Sequence, residues 1–324
     1  MRQDERGDET EPDVPSRPCR RRILGALGAA TAVGVAGTGT ATAADTLEAD
    51  DDLAGLQVGT GDPCERDRTD DSQLPFDTDG YGGWGGHEFH GTDPGLEHAP
   101  VVFAHGNTRD ACDFLEHADF LLERGFAGDD LWAITFGREG ASHEEMRAQL
   151  DAFVDNVLEY TGADSVQVVG HSLGVTGLRY WMDGLDEHPD RYDRVETVVG
   201  LAGANHGTWT CGPGCEEGPG TSRVCRFISH SCADTPGEPL YELNAPDETP
   251  NDGAIDYYTI RGRYDEFFLV RPESPVLEGA ENVVLETDHD GVRTSEATKQ
   301  LLYEWLSVES HPSSNRSVAG SGRS

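Results

Sequence analysis

The chain has 324 residues, 36% of them hydrophobic, and sets 61 acidic side chains against 24 basic ones for a formal charge of −37. No basic patch stands outside the extreme N-terminus, which excludes nucleic-acid binding, and the charge predicts a protein fit for very high salt, where screening relieves self-repulsion. An acidic disordered chain is excluded too, because apolar strand-like and helix-like segments recur from about residue 100 to residue 306.

In chain order, Arg20, Arg21 and Arg22 precede an uncharged Ala- and Gly-rich run from Ile23 to Ala44. The string Cys19-Arg-Arg-Arg-Ile-Leu-Gly resembles a twin-arginine signal, and Ala41-Thr42-Ala43 offers a small-residue cleavage site. Residues 1–43 are therefore expected to direct export by the twin-arginine route, leaving a secreted protein with no stable membrane insertion after cleavage. An uncleaved anchor is the alternative, since the run is nominally long enough to span a bilayer yet weakly hydrophobic.

Residues 44–98 form an acidic, Gly-rich segment in which Trp84 to His90 predicts an early strand or hairpin. From there strands and helices alternate. Val101–Ala104 reads as a strand, 112–124 as a helix, Leu131–Phe136 as a strand and 144–160 as a helix. That last helix puts Met146, Leu150, Phe153, Val154, Val157 and Leu158 on one stripe and stops before Gly162. A strand at Ser165–Val169, a helix at Leu173–Leu185 and a strand at Val195–Leu201 follow. After a cysteine-rich insertion at 207–250 come strands at Ile255–Ile260 and Asn282–Leu285 and a last helix from about Thr294 to Leu306. The alternation predicts an α/β domain over 99–308, with a mostly parallel sheet, right-handed crossovers and helices on both faces. Residues 309–324, rich in Ser and Gly, predict a disordered tail.

Beyond the signal six cysteines remain, Cys64, Cys112, Cys211, Cys215, Cys225 and Cys232. An even number in an exported protein predicts disulfides. Four fall within the 22 residues from Cys211 to Cys232 and predict two bridges there, leaving Cys64 and Cys112 for a third. Their pairing is not legible. A zinc site on the four clustered thiols competes, but the Cys-x3-Cys and Cys-x6-Cys spacings fit no common zinc pattern. No metal or cofactor is expected.

Gly170-His171-Ser172-Leu173-Gly174 lies between the strand Val166-Gln-Val-Val169 and a helix, the context a nucleophile elbow requires. Such a turn strains the Ser172 backbone and lifts its hydroxyl out at a helix N-terminus. A serine hydroxyl needs a base. Among the histidines after it, His289 directly follows the strand Val283-Val-Leu-Glu286 and so stands at the carboxyl edge of the sheet, where open α/β folds build their sites. Asp265, after the strand Tyr257-Tyr-Thr-Ile260 and its Arg261-Gly-Arg turn, is placed to orient the imidazole; Glu266 competes for that role. The backbone N–H of Leu173 and that of Asn107, in the loop after Val101–Ala104, are the candidate oxyanion donors. His105 reads as a buried support of that loop.

The stretches Val102-Phe-Ala-His-Gly-Asn107, Val168-Val-Gly-His-Ser-Leu-Gly174, Gly200-Leu-Ala-Gly-Ala-Asn-His-Gly207, Arg263-Tyr-Asp265 and Glu286-Thr-Asp-His289 resemble the class 2 family of small secreted bacterial lipases. The first three also resemble a secreted polyhydroxyalkanoate depolymerase on the same α/β-hydrolase fold. The resemblance spans roughly residues 99 to 308 and implies that Ser172, Asp265 and His289 form the triad and that the Asn107 and Leu173 amides form the oxyanion hole. The chain departs from the pattern in the insertion after Gly207 and in Asp290-Gly291, where those lipases carry apolar residues.

These readings predict hydrolysis of carboxylic esters, on a small-molecule or lipid substrate, through an acyl-enzyme on Ser172. Depolymerisation of a polyester needs the same residues plus an exposed hydrophobic docking patch. A non-catalytic relative used for binding would have lost a triad member, and none is missing. Acyl length and oligomeric state are not written in the sequence.

Overall fold

The computed structural model of the chain describes residues 66–185, 189–212, 222–251 and 253–308. The signal at 1–43, residues 44–65 of the acidic segment, Cys64, Cys215 and the tail at 309–324 lie outside the described residues.

Among the described residues seven strands form one sheet in the order β1-β3-β2-β4-β5-β6-β7. They are β1 Gly82–Gly85, β2 Val101–Ala104, β3 Leu131–Thr135, β4 Val166–His171, β5 Val195–Leu201, β6 Asp256–Gly262 and β7 Glu281–Leu285. Only β1 runs antiparallel, pairing Gly82 with Thr135 and Gly85 with Trp132. Every residue of β2, β3 and β4 is buried, which requires cover on both faces. That is why their sequences are near-continuous apolar runs rather than alternating ones. The flanking helices pack in pairs, His143–Thr161 against Leu173–Asp183 and Leu115–Leu122 against Glu296–Leu306. Sheet and helices make an α/β-hydrolase fold.

The strand order reverses between β2 and β4. From β2 the chain winds outward to β3, then crosses back over β2 to β4 and continues through β5, β6 and β7. Loops leaving the carboxyl ends of β2 and β4 therefore diverge and leave a crevice between them, the place where open α/β sheets bind ligands.

Local chemistry accounts for the element ends. Ser142 caps the long helix, its Oγ accepting the Glu145 N–H at 3.2 Å while Glu145 Oε2 accepts the Ser142 N–H at 2.8 Å. Gly162 ends it in the left-handed region at φ 72°. The stripe of Met146, Leu150, Phe153, Val154 and Val157 is buried as its spacing requires.

Several expectations are corrected. Of the strand or hairpin expected at Trp84–His90, the strand is there as the end of β1, but no hairpin follows: β1 passes directly into a short helix, Gly86–His90. The segment read as one helix over 112–124 starts as a 3-10 turn, Ala111–Phe114, before Leu115–Leu122. The last helix begins at Glu296, and Ser295 separates it from a helix at His289–Thr294 that the sequence reading left out. Within the insertion, Cys211 is bridged to Cys225, which removes the four-thiol zinc alternative. Cys232 is buried, 3.1 Å from the Arg226 carbonyl, and the second bridge expected in the insertion involves Cys215, which lies outside the described residues. Cys112 is disulfide-bonded.

Candidate active site

At the end of β4 the chain must turn from strand to helix within one residue. Ser172 takes φ 53° and ψ −119°, a conformation few non-glycine residues adopt. Its N–H donates to the Leu201 carbonyl at 2.8 Å and its carbonyl accepts from Val175 N at 3.1 Å, so the turn is held from both sides. The two flanking glycines are required by close approach. A Cβ on Gly170 would lie 2.7 Å from Val175 N, and one on Gly174 would lie 2.3 Å from the Ala104 carbonyl oxygen. The five-residue spacing is thus a packing requirement, with strand, helix and the end of β2 in contact around the serine.

Asp265 and His289 reach the same rim from β6 and β7. The ladder between those strands continues past their ends, with Arg263 N donating to the Leu285 carbonyl at 2.8 Å and Tyr264 N to the Thr287 carbonyl at 3.0 Å. This extension fixes the two loops in register. Asp265 is 3% exposed and His289 6%. His289 Nδ1 stands 2.8 Å from Asp265 Oδ2, and Asp265 Oδ1 accepts the Phe267 N–H at 3.0 Å. A carboxylate with both oxygens engaged this way makes Nδ1 the protonated nitrogen and leaves Nε2 facing away from it. Glu266, the competitor, meets His289 through the backbone instead, its Oε2 accepting the His289 N–H at 3.3 Å. The imidazole packs between Phe267, with ring centroids 4.5 Å apart, and His171, at 4.9 Å. His171 directly precedes the serine, so the ring of His289 is brought against the elbow. Among the described residues Ser172 Oγ makes no hydrogen bond.

Burial, with smaller effects from His289 and Arg293, holds the His171 imidazole well below the ordinary histidine pKa range. It stays neutral beside His289 and does not compete for a proton near neutral pH.

The loop after β2 abuts the elbow: a Cβ on Gly106 would lie 3.2 Å from Ser172 Cβ. Leu173 N–H is the first of its helix and has no intrahelical acceptor, and the Asn107 N–H has no acceptor among the described residues. Two donors are therefore available on the serine's flank. His105 is buried, its Nε2 accepting the Phe136 N–H at 3.0 Å and its Nδ1 donating to the Gly106 carbonyl at 2.7 Å. Burial, aided by the Arg68 charge, lowers its pKa to about 3.

The structure brings Ser172, Asp265, His289, Asn107 and Leu173 to one rim. It places His206 elsewhere, against Glu248 Oε1 at 2.7 Å. Sequence reasoning missed Arg109, whose guanidinium reaches Asp290 at 2.8 and 3.1 Å and so ties the loop carrying Asn107 to the helix that begins at His289. The departure at Asp290 was visible in the sequence, but a carboxylate in so acidic a chain gave no sign of its partner 181 residues away.

An exposed apolar patch borders the site. Leu269 is 64% exposed, Val270 70% and Trp209 44%. Trp209 Nε1 donates to the Glu266 carbonyl at 3.1 Å, which fixes the indole beside the Asp265 loop.

A model of the class 2 lipase family matches residues 98–300. Among solved structures the chain is similar to the mature form of lipase BlEst2 of Bacillus licheniformis, at 18% identity and TM-score 0.54, covering 71% of this chain and 100% of that one. It is similar to lipase B of Aspergillus fumigatus, at 15% identity and TM-score 0.51, covering 66% of this chain and 53% of that one. It is also similar to phospholipase PlaB of Legionella pneumophila, at 15% identity and TM-score 0.51, covering 66% and 60%. At these identities the likeness to solved structures is one of fold. The family match spans more than half of the sequence and contains every residue assembled at the rim, and on that ground the chain belongs to the class 2 lipase family.

Proposed function

We propose that the protein is a secreted serine hydrolase that cleaves carboxylic esters through an acyl-enzyme on Ser172. The observation that carries this reading is the 2.8 Å pair of Asp265 and His289 packed against the residue that precedes a strained Ser172. In the first half-reaction His289 Nε2 takes the hydroxyl proton as Ser172 Oγ bonds to the ester carbon. The carbonyl oxygen becomes an oxyanion facing the Asn107 and Leu173 N–H groups, and Asp265 stabilises the imidazolium. Collapse breaks the bond to the alcohol, which leaves with the proton from His289. Water then repeats the sequence on the acyl-enzyme, releasing the acid and restoring Ser172.

The apolar patch of Trp209, Leu269 and Val270 supports an ester with an apolar acyl part, and lipid and polyester substrates both present one. Acyl transfer to an acceptor other than water uses the same first half-reaction. A hydrolysis screen over graded p-nitrophenyl esters, a triglyceride emulsion and a polyhydroxybutyrate film separates these substrates.

Export is supported by the twin-arginine string and by the Cys211–Cys225 bridge, a bond that persists in oxidising surroundings. Among the described residues no helix is long and apolar enough to cross a membrane.

The test is Ser172→Ala assayed on a short p-nitrophenyl ester in molar KCl. Turnover should vanish while the circular dichroism spectrum is unchanged; turnover that persists in a folded variant contradicts the assignment.

A further inference from the structure

The loop of residues 105–109 carries the Asn107 N–H assigned above as an oxyanion donor, and its own sequence holds it weakly. Thr108 sits at φ 59°, an uncommon conformation for a β-branched residue, and the internal turn bond from Arg109 N to the Gly106 carbonyl is long at 3.3 Å. The restraint comes from a residue ahead of position 98, where the family match begins. Arg68 donates from Nη2 to the Arg109 carbonyl at 2.6 Å and from Nε to the Phe136 carbonyl at 2.8 Å. The same Nη2 lies 3.3 Å from His105 Nε2.

These contacts decide a tautomer. His105 Nε2 faces two donors, the Phe136 N–H and the Arg68 guanidinium, and a guanidinium has no acceptor to offer. Nε2 must therefore be the bare nitrogen, and Nδ1 carries the hydrogen that bonds the Gly106 carbonyl at 2.7 Å. The Gly106 carbonyl and the Asn107 N–H belong to one planar peptide and point in opposite directions. Fixing the carbonyl on the His105 side fixes the direction of the N–H. A flip of that peptide would turn the donor away from the elbow.

We infer that Arg68 is a positioning residue for the oxyanion hole: with the Phe136 N–H it locks His105 in the tautomer that anchors the Gly106–Asn107 peptide, and it pins the far end of the loop at Arg109. The inference rests on the assignment of Asn107 as an oxyanion donor. Among the described residues the Arg68 side chain hydrogen-bonds to two backbone carbonyls and to the imidazole. A fork bonding two carbonyls at once is geometry that lysine cannot reproduce with its single ammonium.

The test compares wild type, Arg68→Gln, Arg68→Lys and Ser172→Ala in molar KCl. Rates are expressed per active site, counted from the end-point stoichiometry of a fluorophosphonate that labels the nucleophilic serine, so an unfolded fraction does not enter. For Arg68→Gln, kcat on p-nitrophenyl butyrate is expected to fall about 10- to 100-fold, below the loss from deleting an oxyanion donor outright, with KM within about twofold. The inhibition constant of a trifluoromethyl ketone, whose hemiketal oxygen occupies the oxyanion hole, should rise by the same factor. Arg68→Lys should fold and still show most of the loss. A brace that served folding alone would lower the melting temperature and the number of active sites while leaving kcat per site and the inhibition constant at wild-type values, and that result overturns the inference. So does a fall in kcat with an unchanged inhibition constant. Turnover by Ser172→Ala would instead overturn the underlying catalytic reading.

Discussion

Ser172 stands at φ 53° and ψ −119° because a strand, a helix and the β2 loop meet around it, and the strain is borne by packing that the flanking glycines permit. The two candidates for the acid that orients His289 are distinguished by single contacts. Asp265 and Glu266 are adjacent and carry the same charge, yet only Asp265 reaches the His289 ring, at 2.8 Å, while Glu266 touches the backbone N–H. Asp265→Asn replaces the carboxylate facing Nδ1 by a neutral amide whose NH2 can donate to it, which favours the wrong tautomer, and should lower kcat about 10³- to 10⁴-fold. Glu266→Gln should stay within about tenfold of wild type. Steady-state kinetics of the two variants check this, and a reversed order would move the orienting role to Glu266.

At the scale of elements, the elbow is a three-way contact, and its tolerance to substitution follows from distances. A Cβ on Gly174 would meet the carbonyl oxygens of Ala104 at 2.3 Å and His105 at 2.7 Å, backbone atoms that also shape the β2 loop. Gly174→Ala should cost ~3 kcal/mol or more, or prevent folding. Gly162→Ala, at a helix end with nothing within 4 Å of its added carbon, should cost about 1 kcal/mol for the left-handed conformation alone. Chemical denaturation of both variants measures the difference; equal costs would contradict the packing account. The inner strands and the long helices were legible because burial on both faces and helical spacing each leave a strong pattern. The same holds for the elbow and for a histidine and an acid at strand ends. What escaped has a physical reason. β1 is four residues, three of them glycine, and is defined by its pairing with β3 rather than by its own propensity. The helix at His289–Thr294 is six residues set by the Asp288 cap, whose Oδ1 accepts the Gly291 N–H at 2.8 Å. Arg68 and Arg109 act through partners far along the chain, and no local pattern marks such contacts.

For the whole molecule, a formal charge of −37 predicts unfolding in dilute buffer and recovery in molar KCl or NaCl. A melting temperature indifferent to salt contradicts this. Acid acts in a defined direction. Burial lowers the pKa of His105 and His143 to about 3 and of His117 to about 4, with His171 also held well below its ordinary value. In the unfolded chain these groups protonate near pH 6.5. Between that pH and their native values the unfolded state binds more protons, so their contribution to stability is present above about 6.5 and is lost as the pH falls. Denaturation at fixed molar KCl should show stability falling from pH 6.5 to pH 5 by at least ~1.4 kcal/mol per unit, the slope of one histidine. A flat or rising profile would contradict the buried-histidine account.

The central claim is a covalent step on one oxygen. Mixing the protein with a p-nitrophenyl ester in molar KCl and quenching in acid within the first turnover should give a burst of about one p-nitrophenol per active site. Intact mass should rise by one acyl group, and peptide mapping should locate that group on Ser172. Linear product release without a burst would show only that acylation limits the rate. Efficient hydrolysis with the acyl group on another side chain, or hydrolysis undiminished in Ser172→Ala, would contradict the account.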